Sequence, residues 1–120
     1  MALLRSLTQK LLGKGRQVSI VVIAPAATPS GDKLYVTGAC PELGQWDAAG
    51  KRLRQTDVGV WETRVRVPAD QPIEFKVTRG SWETVEQHAD GSDTGNHRVD
   101  PEAAAAAPIR HTVERWSDVA

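Results

Sequence analysis

From residue 18 onward, apolar positions recur at every second place. "VSIVVIA" (18–24) is a β-branched run, "KLYVTGA" (33–39) is another, and the turn Pro29-Ser30-Gly31-Asp32 separates them. In "VWETRVRVP" (60–68), Trp61, Thr63, Val65 and Val67 face one way, while Glu62, Arg64 and Arg66 face the other. In "IEFKV" (73–77), Ile73, Phe75 and Val77 oppose Glu74 and Lys76, and a last strand is expected near "IRHTVERW" (109–116). Short strands at close spacing, with Gly and Pro turns and no central helical pattern, predict an all-β antiparallel sandwich over 18–118. The alanine run 103–107 has the composition for a helical turn, but Pro101 and Pro108 bracket it and point to a connector.

Ahead of the strands, the period is helical. Residues 1–17 predict a short amphipathic helix in which Leu3, Leu4, Leu7, Leu11 and Leu12 share a face and Gly13 and Gly15 end it. Such a stripe fits a helix packed on the domain, a terminal extension, a membrane-surface anchor, a partner-binding helix or a transit peptide, and does not choose among them.

Composition narrows the classes. A chain of 120 residues supports one domain, and its 15 basic and 15 acidic side chains cancel, so no overall field draws it to nucleic acid. A single cysteine, Cys40, excludes an internal disulfide and a cysteine-built zinc site, and is expected to be partly buried. No apolar run approaches the ~18 residues of a membrane span. The leucines of "MALLRSLTQKLLGKGRQ" are interrupted by polar residues, unlike a secretory signal, so a cytoplasmic setting is expected. His88, His97 and His111 show no ligand spacing and read as surface residues, so neither a metal nor another cofactor is expected. "SDTGN" (92–96) lacks the apolar flank of an aspartic-protease triplet, and no nucleophile elbow, zinc-protease motif or phosphate loop is present; the chain is expected not to be an enzyme.

The tryptophans divide into two groups. Trp61 shares the face of Val65 and Val67, and Trp116 ends a strand, so both are assigned to the interior. Trp46, in "CPELGQWDAAGK", and Trp82, after Arg79-Gly80-Ser81, lie in polar segments whose position alone leaves each as free to be exposed as buried. Two exposed indoles on loops of one sandwich would mark a recognition surface.

The order "GDKLYVTGACPELGQWD", "VWETRVRVP", "IEFKVTRGSW", "NHR" and "VERW" resembles the family-20 carbohydrate-binding module, the starch-binding domain. That family is an antiparallel, immunoglobulin-like β-sandwich attached to amylases and to regulators of glycogen. The resemblance covers roughly residues 18 to 118, with Leu43-Gly44-Gln45-Trp46 and Glu74-Phe75-Lys76 its most specific words. It implies a glucan site built from the tryptophan after Leu-Gly-x, the strand lysine, a second tryptophan and a loop asparagine: here Trp46, Lys76, Trp82 and Asn96. Glu83 and Glu86 complete the expected sugar-binding set. "KVTRGSW" is more similar to the hairpin of the related glycogen-binding family, whereas a strict alignment places Val85-Glu86 at the second stacking position. The family's second site uses two tyrosines; Ser30 and the segment "KRLRQTD" (51–57) stand there, so that site is expected to be absent.

The implied function is non-catalytic binding of α-1,4-glucan, starch or glycogen. Each glucose face offers a patch of C–H groups that a flat indole covers, while side chains at the rim bind the hydroxyls. At about 25 cal/mol per Å², an indole hiding roughly 80 Å² contributes about 2 kcal/mol, and two give roughly millimolar affinity. The competing reading is a sandwich that has lost sugar binding and docks a partner protein, or a membrane, through Leu3, Leu4, Leu7 and Leu11.

Overall fold

The β-branched run that opens the domain becomes the central strand of one of its two large sheets. In a computed structural model, which describes residues 15–119, β1 (Arg16–Ile23) turns Val18, Ile20 and Val22 inward. It pairs antiparallel with β5 (Val60–Val67), Ile20 opposite Thr63 and Val22 opposite Trp61. β4 (Arg54–Asp57) and β9 (Ile109–Thr112) flank this pair, giving the order β4-β5-β1-β9. β1 and β9 run parallel, a departure from the purely antiparallel expectation.

The second sheet has the order β3-β2-β6-β8, formed by β2 (Tyr35–Gly38), β3 (Lys51–Arg52), β6 (Ile73–Thr78) and β8 (His97–Val99). Val36, Ile73, Phe75 and Val77 meet Val18, Ile20, Val22, Trp61, Val65 and Val67 from the first sheet in one core. A two-stranded piece, β7 (Glu86–Gln87) with β10 (Arg115–Trp116), completes the strands.

Both tryptophans assigned to the interior lie there. Trp61 is buried, and Trp116 is buried with its Nε1–H donating to Thr28 Oγ1 at 2.9 Å, so its one polar atom is satisfied. Cys40 is partly buried, as expected.

Three expectations change. The alanine run is not a connector: α1 (Pro101–Ala106) is a helix, because Pro101 sits at its first turn, where a missing N–H costs nothing. The expected last strand is split into β9 and β10 by Val113 and Glu114. Arg16 and Gln17, assigned to the leading segment, already belong to β1. The predicted helix, with Leu3, Leu4, Leu7, Leu11 and Leu12, lies outside the described residues.

Candidate glucan-binding site

β6 organises the site because its two faces do different work. Ile73, Phe75 and Val77 point into the core, so Lys76 and Thr78 share the opposite face, about 6.7 Å apart along the strand. From that face each side chain holds a loop.

Thr78 is fully buried, and its Oγ1 donates to the Ala48 carbonyl at 2.5 Å while accepting the Gly80 N–H at 3.0 Å. Ala48 is two residues beyond Trp46, and Gly80 is two residues before Trp82. One hydroxyl therefore ties together the loop and the turn that carry the two candidate indoles.

The Trp46 loop is held in an uncommon backbone shape. After the short 3-10 turn Pro41–Leu43, Gly44, Gln45 and Trp46 all lie in the left-handed region, at φ 82°, 48° and 67°. Glycine adopts this freely, but for a residue as bulky as tryptophan it costs about 1–3 kcal/mol and persists only where the surroundings impose it. Hydrogen bonds impose it here: the Trp46 N–H donates to Gly38 O at 2.9 Å and the Gln45 N–H to Cys40 O at 3.2 Å. Leu43, fully buried, anchors the start of the loop, and Trp46 remains half-buried.

Trp82 heads a 3-10 turn, Trp82–Thr84, whose N-terminus is capped by Ser81 Oγ accepting from the Glu83 N–H at 2.9 Å. Gly80, at φ 107°, supplies the reversal before it. The turn is fastened by the Arg79 N–H on Thr84 O and by Ser117 Oγ–H on Glu83 O. Trp82 is 44% exposed, one of two large apolar side chains left to solvent among the described residues. Glu83 beside it is exposed as well.

Lys76 holds the third loop. Its Nζ donates to Asp93 Oδ1 at 2.7 Å, and the same oxygen accepts the Gly95 N–H at 2.8 Å. That double role pins the turn that ends at the exposed Asn96. Lysine holds the Asp93 carboxyl below its ordinary value, aided by the Gly95 N–H. Asp93 and Thr78 were not legible as site residues, because their importance comes from partners 17 and 30 positions away.

Glu86 is a correction. It is 2% exposed, with Oε2 accepting the Val77 N–H at 2.6 Å and Oε1 facing His111 Nε2 at 2.7 Å. Both oxygens are engaged inside the sandwich, so this carboxylate does not belong to a surface sugar site. Burial pushes its carboxyl up, but His111 and His97 outweigh that and hold it at about 2. The reading of His97 and His111 as surface residues also fails: their side chains are 22% and 17% exposed and converge on Glu86. His88 is exposed, as expected.

Where the family's second site would lie, the site expected to be absent here, Ser30 and Gln55 (the latter within 51–57) line one surface depression with Thr28, Asp32, Val58 and Trp61. Among the described residues, Trp61 is the only aromatic ring there, and it belongs to the core.

The family described as starch binding domain matches residues 17–105. An alpha-amylase of Niallia circulans is 35% identical over 101 residues, covering 84% of this chain and 8% of the amylase. A cyclomaltodextrin glucanotransferase of the same organism is 39% identical over 77 residues, 59% of this chain and 11% of that enzyme. The family 20 module of a maltotetraose-forming amylase from Pseudomonas saccharophila STB07 superimposes with a TM-score of 0.52 at 26% identity, covering 79% of this chain and 99% of the module. The chain thus spans only a small part of the curated relatives it matches, but nearly the whole of the solved module.

Proposed function

The chain belongs to the starch-binding domain family, and from that premise we propose that it binds α-1,4-glucan at one surface site, with Trp46 and Trp82 as stacking platforms. The observation that carries this reading is the Thr78 hydroxyl, which joins the loop of one indole to the turn of the other. Indoles on two loops fixed to one strand suit a curved chain, in which successive glucose units present their faces at different angles. Asn96 and Glu83, both exposed, hydrogen-bond hydroxyls at the rim. Lys76 adds a donor, with Asp93 fixing its direction.

We assign the chain binding and no bond cleavage. With two stacked rings and a few hydrogen bonds, affinity falls near the millimolar range, so the module gains from tethering to a catalytic domain or from several contacts on one granule. Sedimentation with insoluble starch tests the reading. The wild-type protein is expected in the pellet, and Trp46→Ala and Trp82→Ala are expected to shift to the supernatant. A wild type that stays soluble, or variants that sediment as it does, would overturn the proposal.

A further inference from the structure

The corrected histidines have a consequence beyond sugar binding. β8 is the edge strand of one sheet and β9 the edge strand of the other. His97 on β8 sits opposite the inward Phe75, and His111 on β9 sits opposite the inward Val22, so both rings enter the gap between the sheets. Glu86 of β7 reaches the same place. His97 Nε2 and His111 Nε2 lie 2.9 and 2.7 Å from the one oxygen Glu86 Oε1, and the two rings are 4.0 Å apart between centroids.

A hydrogen-bond network accounts for only part of this. Glu86 Oε2 is taken by Val77, leaving Oε1 for both imidazoles. His111 Nε2 makes a directed hydrogen bond to it, whereas His97 Nε2 is shut off from solvent and makes none, despite its short distance. A buried nitrogen held in poor hydrogen-bond geometry is costly unless another group engages it.

The geometry points to a site for a divalent transition metal, held by Glu86 Oε1, His97 Nε2 and His111 Nε2. One ligand atom from each of the three residues lies within 4.8 Å of the others, close enough for a shared ion after small ring movements. Two imidazoles and one carboxylate suit Zn²⁺ or Co²⁺ better than Ca²⁺ or Mg²⁺, which prefer all-oxygen shells. The Val77 N–H on the other carboxylate oxygen orients this ligand, as supporting hydrogen bonds do in metal sites. Partial exposure of both rings gives the ion a way in. Bound there, it clips the edge of one sheet to the edge of the other. The inference does not depend on the glucan site.

The experiment uses untagged protein stripped with a chelator and titrated with Co²⁺, then with Zn²⁺. One equivalent of Co²⁺ is expected to give the visible absorption of a low-coordinate site, one equivalent of Zn²⁺ to displace it, and Zn²⁺ to raise Tm. His97→Gln and His111→Gln are each expected to weaken binding by about tenfold or more. His88→Gln, which alters a histidine outside the cluster, is expected to bind as the wild type does. Should His111→Gln or Glu86→Gln fail to fold, His97→Gln, on a three-residue edge strand, decides the matter. A wild type that takes up no Co²⁺, binding unchanged in His97→Gln, or binding lost in His88→Gln would each overturn the proposal.

Discussion

Thr78 Oγ1 lies 2.5 Å from the Ala48 carbonyl oxygen, across 30 residues of sequence. Through it the loop of Trp46 is coupled to the turn of Trp82, because the same hydroxyl accepts the Gly80 N–H. Thr78→Val keeps the shape and removes both bonds, leaving a buried carbonyl and an amide unpaired. It is expected to lower stability by about 1–3 kcal/mol. Starch affinity is expected to fall about tenfold, equivalent to about 1.4 kcal/mol, although both indoles remain. Thr78→Ser should recover most of each loss. Chemical denaturation and starch-binding isotherms of the pair give the answer; normal affinity in Thr78→Val would mean that the loops act independently.

The two indoles are expected to differ in what else they do. Trp82 is exposed and Trp46 half-buried on a left-handed backbone. Each alanine variant should lose about 2 kcal/mol of glucan binding, or roughly thirtyfold. Only Trp46→Ala should also lower Tm by several degrees, since Trp82 is too exposed to support the fold. Thermal unfolding beside binding measurements checks this, and an equal drop in Tm for both variants would contradict it.

How much of this was written in the sequence depends on where a residue faces. Where one face of a strand is core and the other is water, as over 60–67, alternation identified the strand and its inward side. β4 gave no such signal, because Arg54, Gln55, Thr56 and Asp57 are all exposed on an edge. Strands of two or three residues, such as β7 and β8, are too short to show a period. Glu83 and Glu86 look alike in "WETVEQ", yet the 3-10 turn sends the first to solvent and lets the second enter the core. His97 and His111 are brought together by two different sheets, so no local spacing announced them. Trp46 and Trp82 stood out as candidates because a large ring in a polar loop is conspicuous; the hydroxyl that joins their loops did not.

Arg79 holds the base of the Trp82 turn. Its Nε donates to Asp32 Oδ2 at 2.9 Å, its Nη atoms donate to both oxygens of Asp118, and its guanidinium lies 5.4 Å from the Trp116 ring centroid. The Asp118 hydrogen bonds raise the Arg79 pKa above its ordinary value despite burial. A planar fork serves both carboxylates at once, which an ammonium does not. Arg79→Lys is therefore expected to cost about 1–3 kcal/mol of stability, read from urea denaturation. A variant as stable as the wild type would show that these bonds only exchange with water.

Acid should reach the site through Asp93. Its folded-state pKa is depressed by Lys76, by the Gly95 N–H and slightly by His88, so the carboxylate binds its proton more weakly folded than unfolded. The pair's contribution is thus present above the ordinary carboxylate value of 3.8 and is lost as pH falls below it. With 77% of the Asp93 side chain exposed, the effect on global stability is small. Its effect on the Lys76 and Asn96 contacts is what starch binding reads. Affinity is expected to hold from neutral pH to about pH 4 and then decline. Asp93→Asn should bind more weakly at neutral pH and show a flatter profile; an unchanged acid decline in that variant would assign it to another group.

Stoichiometry tests the remaining surface. Ser30 and Gln55 line a common depression, but its one aromatic ring among the described residues, Trp61, is 8% exposed and packs in the core. Without a flat ring facing water, that depression lacks the roughly 2 kcal/mol that each stacked glucose needs to stay bound at millimolar concentrations. Calorimetric titration with a soluble maltooligosaccharide is therefore expected to fit one site per chain. The Trp46→Ala/Trp82→Ala double variant should show no heat of binding at all. Residual binding in the double variant, with the stoichiometry of a second site, would place a glucan contact on this other face and require Val58, 91% exposed at its margin, to act as an apolar platform in place of a ring.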